Sequence, residues 1–251
     1  MALLEGDTAL VTGAASGIGR GIARALSAEG VRLVLSDVAE ETGTALAREL
    51  SATFIPADLN APTAPRRLFE AAVKALGSIS IFVHSASPRR LENETALAVT
   101  EAQWDLMTSV GLRAGFLLGQ AAGAHMKARN LKGRILFITS LHSDTPRNLP
   151  HYSATKAGQT MVVKELARAL GADGIRVNAI APGAIPGGGF DADIASFAKM
   201  IPLGRTGTPE DIADMAIALL CDRFSRYVTG ATVAVDGGLA LYNWIPVRVG
   251  A

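Results

Sequence analysis

TALVTGAASGIGRGIARALSAEGVRLVLSD, residues 8–37, decides the fold: a strand, a glycine turn, a helix and a second strand follow one another without a break. TALVTG at 8–13 is a short apolar strand candidate, the helix runs from about Ile18 to Glu29, and RLVLSD at 32–37 is the next strand. Gly13, Gly17 and Gly19 permit a tight turn and close backbone approach. The first turn of the helix offers free N–H groups to a pyrophosphate. A glycine trio alone marks only a strand–helix turn. Its place in the first βαβ unit makes it a dinucleotide-binding turn, with Gly13, Ser16, Gly17, Ile18 and Gly19 as candidate cofactor contacts.

Asp37 ends the second strand, 18 residues after Gly19 (37 − 19). A carboxylate there can accept both hydroxyls of an adenosine ribose and repels the extra phosphate of NADP, so NAD is the expected cofactor. The plainer alternative is a solvated turn aspartate. Asp58, at the end of the third strand, is a candidate for the adenine edge, with Leu59 supplying backbone contact.

Outward from this unit the alternation continues. TFIPAD (53–58), ISIFVHSAS (79–87), RILFITS (134–140), IRVNAIAPG (175–183) and TVAVDGG (232–238) are near-continuous apolar runs, separated by amphipathic stretches such as 39–50. Strands buried on both faces look like this. The order predicts an α/β fold: a single-domain, Rossmann-like, doubly wound parallel sheet with helices on both faces, spanning 1–251. No linker, charge block or repeat divides the chain. PGAIPGGGF at 182–190 opens a substrate loop expected over about 183–208, and the apolar tail 239–251 is expected to pack against another subunit.

Composition narrows the function. The 251 residues are 49% hydrophobic, enough for a sizeable core, and a net charge of +1 gives no bulk attraction for nucleic acid or acidic membranes. One cysteine, Cys221, excludes an internal disulfide framework and suits a reducing compartment. The beginning, MALLEGDTAL, has no basic region followed by a long apolar run, so neither a signal peptide nor a membrane span is expected and the location expected is cytoplasmic. The four histidines and one cysteine show no zinc spacing, so no metal is expected.

HYSATKAG at 151–158 carries the chemistry. A free tyrosine has a pKa near ~10. Lys156, four residues after Tyr152, lies above it on a helix, where an ammonium favours the phenolate. The pair makes a usable general base, although surface Tyr–Lys pairs are common. Taken with TGAASGIG, Asp37, the serine of ITS, RVNAIAPG and the closing DGG in that order, YSATK resembles the short-chain dehydrogenase/reductase family over nearly the whole chain. MIPLGRTGTPEDIA (200–213) and YVTGATVAVDGGLALY (227–242) are most similar to its glucose 1-dehydrogenase and acyl-carrier-protein reductase branches, which are commonly tetrameric.

The resemblance implies roles. Tyr152 is the acid/base, Lys156 lowers its pKa and binds the nicotinamide ribose, and Ser140 holds the substrate oxygen. Ser140 precedes Tyr152 by 12 (152 − 140), one residue fewer than the commonest family spacing, which leaves Thr139 and Ser143 as fallback hydroxyls. Ala86, Pro182, Gly183 and Ile185 join the cofactor contacts, and Asn178 is a structural hydrogen-bonder. His142, His151 and Arg89 are candidates for the substrate pocket, with Arg90 and Arg147 beside them.

Three positions depart from the family pattern. Where NNAG is usual, this chain has His84-Ser85-Ala86-Ser87, and His84 or Ser85 is expected to replace the missing asparagine's hydrogen bonds. The family's catalytic asparagine is Gly111, whose bare backbone leaves room for a water or marks a close helix contact. The threonine expected near the nicotinamide is Gly187. The leading expectation is a cytoplasmic, homotetrameric NAD-dependent oxidoreductase interconverting a sugar or polyol alcohol and its ketone. The alternatives are an NADPH-dependent 3-oxoacyl thioester reductase and an NAD-binding regulatory or scaffold protein with impaired catalysis.

Overall fold

The structure, a computed structural model, describes residues 2–186 and 198–241. Gly187, most of the expected substrate loop and the tail beyond Leu241 lie outside them. Among the described residues, seven parallel strands form one sheet in the order β3-β2-β1-β4-β5-β6-β7. These are β1 (Thr8–Thr12), β2 (Arg32–Asp37), β3 (Thr53–Pro56), β4 (Ile81–His84), β5 (Arg134–Ile138), β6 (Arg176–Pro182) and β7 (Thr232–Val235). Each falls within a run that the sequence marks as a strand, and the fold is the single-domain doubly wound sheet expected. β4 is shorter than its apolar run because the chain leaves the sheet after His84 to border a cleft.

Helices α1 (Gly17–Ala28), α2 (Glu40–Glu49), α3 (Ala64–Leu76), α4 (Glu101–Met107), α5 (Ala114–Ala128), α6 (Pro150–Leu170) and α7 (Pro209–Leu220) complete the βα alternation. Two cores result. On one face Val11, Leu35 and Ile81 meet Ile22 and Leu26 of α1 and Ile212 and Ala216 of α7. On the other, Leu10, Phe82 and Phe137 meet Leu68 of α3, Leu118 of α5 and Val163 of α6. Period-two alternation sends successive strand residues to opposite cores.

The α4–α5 rod is continuous but changes pitch. Residues Thr108–Arg113 form a π-helical turn, and the Thr108 hydroxyl donates to the carbonyls of Trp104 (2.9 Å) and Asp105 (3.2 Å) at its start. Such turns insert a residue and re-aim the backbone. Beyond it, Gly115, Gly119 and Gly123 let α5 approach closely: an added Cβ would lie 2.7 Å from the His84 ring, 2.9 Å from Leu166 and 2.5 Å from Leu170, respectively.

At the far end of the sheet from the cleft, Arg134 locks the β strands to the N-terminal segment. Its guanidinium donates to both oxygens of Asp7 (3.1 and 2.8 Å) and to the Leu220 carbonyl (2.8 Å).

Candidate active site

Strand order reverses at β1, which has β2 on one side and β4 on the other, and the cleft opens at the carboxyl ends of these strands. After Thr12 the chain turns through Gly13 (φ 68°) and Gly17 (φ 50°) into α1. A Cβ on Gly13 would sit 2.6 Å from the Ala86 nitrogen, so this turn lies against the segment after β4 only as glycine. At Gly17 nothing lies within 4 Å of an added Cβ; that open space belongs to the cleft. The first turn of α1 has no acidic residue, so its free N–H groups and dipole favour an anion. The cradle therefore fits the pyrophosphate of a dinucleotide. Ser16, Gly17, Ile18 and Gly19 line it, as do Pro182, Gly183 and Ile185 across the cleft.

Asp37, expected at an adenosine ribose, ends β2 beside the glycine turn. One carboxylate oxygen accepts from Ala15 N and the other from Ala39 N, both at 3.0 Å, which fixes the carboxylate while leaving lone pairs for ribose hydroxyls. Asp58, Leu59 and Ala86 line an adjoining slot with Val38 and Val110.

The three residues expected to be catalytic, Ser140, Tyr152 and Lys156, line the same cleft. Pro150 opens α6, a position where its missing N–H costs nothing, and Tyr152 and Lys156 follow one turn apart, both buried. Lys156 Nζ donates to the Ile138 carbonyl at 2.8 Å and stands 5.5 Å from the Tyr152 ring centre. Burial, then the positive charge of Arg90, pushes its ammonium down to about 7. The neighbouring hydroxyls sort themselves. Thr139 is bonded to the Ile180 carbonyl (2.9 Å), and Ser143 accepts from Thr160 (3.2 Å) away from the cleft wall. Ser140 Oγ accepts from His142 N (3.2 Å) and lines the cleft, leaving its own proton available to a ligand oxygen.

The other candidates divide. His142 lines the cleft, its Nδ1 bonded to the Thr145 carbonyl at 3.0 Å; burial lowers its pKa. His151 does not reach the cleft. It is buried, and its Nε2 donates to Glu94 at 3.0 Å, a carboxylate that also binds Gln103 (3.0 Å). Arg89 also stands off the cleft wall, and the arginine that faces it is Arg90. In an irregular segment the side-chain direction of two adjacent arginines follows no period, so the sequence holds no signal to choose between them. Asn178 is structural as expected, joining Val228 O (2.9 Å) and Ala231 N (3.1 Å).

The two departures within the described residues prove to be one construction. His84 is fully buried, and burial followed by the charge of Lys156 pushes its pKa down to about 4, so the ring is neutral. Its Nε2 lies 3.0 Å from the Gly111 carbonyl, which can only accept, so the proton is on Nε2. Nδ1 then accepts from the Thr12 hydroxyl at 3.0 Å. Of the two replacements expected, His84 is the one whose side chain does the bridging. Gln159 of α6 donates to the same Gly111 carbonyl at 2.9 Å. A Cβ on Gly111 would lie 2.5 Å from the Thr155 methyl. No room for a water remains where the asparagine side chain would start, and both lone pairs of the carbonyl are taken. The close helix contact is the reason for the glycine, and the water-filled gap is corrected.

Residues 13–240 match the family model described as enoyl-(acyl carrier protein) reductase. The L-rhamnose-1-dehydrogenase of Scheffersomyces stipitis is 35% identical over 253 residues, 94% of this chain and 97% of its own. The 2-dehydro-3-deoxy-D-gluconate 5-dehydrogenase of Escherichia coli is 34% identical over 247 residues, 94% of this chain and 96% of its own. A blue fluorescent protein from a metagenomic library, solved in complex with NADPH, superposes with a TM-score of 0.84 at 33% identity, covering 94% of this chain and 99% of that one. The chain belongs to the short-chain dehydrogenase/reductase family. It is an oxidoreductase of CH–OH groups, of a kind that works with a nicotinamide dinucleotide.

Proposed function

We propose that the chain is an NAD-dependent oxidoreductase interconverting a secondary alcohol of a sugar- or polyol-like molecule and its ketone. The observation that carries this is the convergence of Ser140, Tyr152 and Lys156 on a cleft that also holds the glycine cradle. Ser140 donates to the substrate oxygen. Tyr152 as phenolate takes the hydroxyl proton in oxidation and returns it in reduction. Lys156, when protonated, favours that phenolate and binds the nicotinamide ribose. A nicotinamide dinucleotide held by the glycine cradle, Pro182, Gly183, Ile185 and Lys156 would supply the hydride acceptor in oxidation and the hydride donor in reduction. Burial of the three side chains excludes bulk water from the transfer. The printed names of relatives, a rhamnose and a deoxygluconate dehydrogenase, support a polyhydroxylated substrate.

The preference for NAD rests on Asp37, a carboxylate held at the end of β2, which would repel the extra phosphate of NADP. An NADPH-dependent 3-oxoacyl thioester reductase is disfavoured on the same ground. Among the described residues no helix is long and apolar enough to cross a membrane, and we place the protein in the cytoplasm. Exposed Trp104, Phe116 and Met161 on α4, α5 and α6 support a homotetramer. Light scattering that gives a monomer would remove that assignment.

Purified protein is to be assayed for NADH formation with sugars and polyols and for NADH consumption with ketones. Tyr152→Phe is expected to lower kcat by about 100-fold or more, and Asp37→Ser to shift the NAD/NADP ratio of kcat/KM toward NADP by about 100-fold. Full activity in Tyr152→Phe would remove Tyr152 as the acid/base, and tight NAD binding with no turnover of any alcohol or ketone would overturn the reading in favour of a non-catalytic cofactor-binding protein.

A further inference from the structure

The reading above gives Arg90 no role, yet it faces the reacting end of the cleft beside Ser87, Pro88 and His142. Its guanidinium carbon stands 4.2 Å from the centre of the Tyr152 ring. Its Nε is shielded from solvent and has no hydrogen-bond partner. A shielded N–H without an acceptor is costly, and among the described residues no carboxylate pairs with this guanidinium.

Among the described residues, the nearby acids Glu92 and Glu94 are engaged elsewhere. Both oxygens of Glu92 hold Arg147 at 3.0 Å. Glu94 holds His151 and Gln103. The carboxylate that lines this cleft, Asp37, belongs to the adenosine end and is tied to the backbone there. Among the described residues, Arg90, Arg147 and Lys156 therefore bring positive charge to the reacting end, with a surplus at Arg90. The surplus is felt: after burial, Arg90 contributes to lowering Lys156, and with Arg147 it contributes to lowering His142.

We propose that the substrate carries a carboxylate and that Arg90 binds it, so that this cleft takes hydroxy acids and keto acids in preference to neutral sugars. The proposal rests on the assignment of Tyr152 as acid/base, because the guanidinium lies on that ring. A guanidinium presents a planar fork that matches a carboxylate. The anion supplies the acceptor that Nε lacks and offsets the repulsion between Arg90 and a charged Lys156. A hydroxymethyl oxygen can accept from the guanidinium but leaves its charge uncompensated.

The test uses three pairs of ketones: pyruvate with hydroxyacetone, acetoacetate with 4-hydroxybutan-2-one, and 5-keto-D-gluconate with L-sorbose. Within each pair a carboxylate replaces a hydroxymethyl group, at increasing distance from the carbonyl. In at least one pair the acid is expected to exceed its neutral partner in kcat/KM by about 100-fold. Arg90→Gln is expected to cut that ratio to below about 10-fold, mainly through KM, and Arg90→Lys to restore part of it. Calorimetric titration of the six ketones into enzyme saturated with NAD, after the NAD affinity of each variant is measured, gives a readout independent of turnover. Acids that bind no tighter than their neutral partners, or an acid preference that survives Arg90→Gln, would overturn the assignment. No turnover of any of the six would count against the oxidoreductase reading, and the titration would still decide the role of Arg90.

Discussion

Replacing Gly111 by alanine tests the link between the π-helical turn and α6. An added Cβ would stand 2.5 Å from the Thr155 methyl, well inside van der Waals contact, and Thr155 is the residue before Lys156. Gly111 is not among the residues of positive φ, so alanine meets no backbone strain there. Alanine gains about 1 kcal/mol over glycine in a helix, while overpacking a buried contact costs about 1–3 kcal/mol. The net expectation for Gly111→Ala is a loss of roughly 0–2 kcal/mol. That range alone decides little, so the cycle is closed with Thr155→Ser, which removes the obstructing methyl and keeps the hydroxyl. With serine at 155 the alanine fills the space, and the coupling between the sites should reach about 1–3 kcal/mol in favour of the double variant. Urea unfolding of the four proteins at one fixed concentration measures it, since self-association would otherwise shift the midpoints. A coupling below about 0.5 kcal/mol would mean that Thr155 is not what holds position 111 to glycine.

Further tests address other parts of the molecule. His84 is held to about 4 against its ordinary 6.5, so between these values the unfolded chain binds a proton that the folded chain refuses. Stability therefore rises with pH across that window and falls as pH drops from 6.5 toward 4, by on the order of 3 kcal/mol in all. Unfolding midpoints at several pH values should show this slope reduced in His84→Asn; parallel curves would refute it. Asp7→Asn, which breaks a mostly buried pair with Arg134, should cost about 3 kcal/mol. Glu49→Gln, at the exposed pair with Arg24, should leave the denaturation midpoint essentially where it was.

Much of this architecture can be read from local pattern. Apolar runs at 8–13, 32–37 and 134–140 show the sheet, because a strand covered on both faces has no polar alternation to disguise it. The glycine turn and YSATK are equally legible, since each is one local device with its own chemistry. What eludes the sequence is pairing over distance in irregular backbone. His151 and Glu94 are 57 residues apart, and nothing in either neighbourhood names the other. Which of Arg89 and Arg90 faces the cleft depends on a loop without periodicity. The Gly111 contact depends on a π-helical turn, which shifts the register of every later side chain on the rod relative to a plain helix.

The hydrogen bonds from Thr12 to His84, from His84 to Gly111 and from Gln159 to Gly111 also bear on how such a site changes over generations. The family's usual asparagines cannot be introduced one at a time without loss. An added Cβ at 111 would lie 2.5 Å from the Thr155 methyl while threonine remains there, and the shorter asparagine at 84 would lack the far edge of the ring that now packs under Gly115. Exchanges at 84, 111 and 155 are therefore expected to be coupled, so that a change at one is best tolerated when the others change with it.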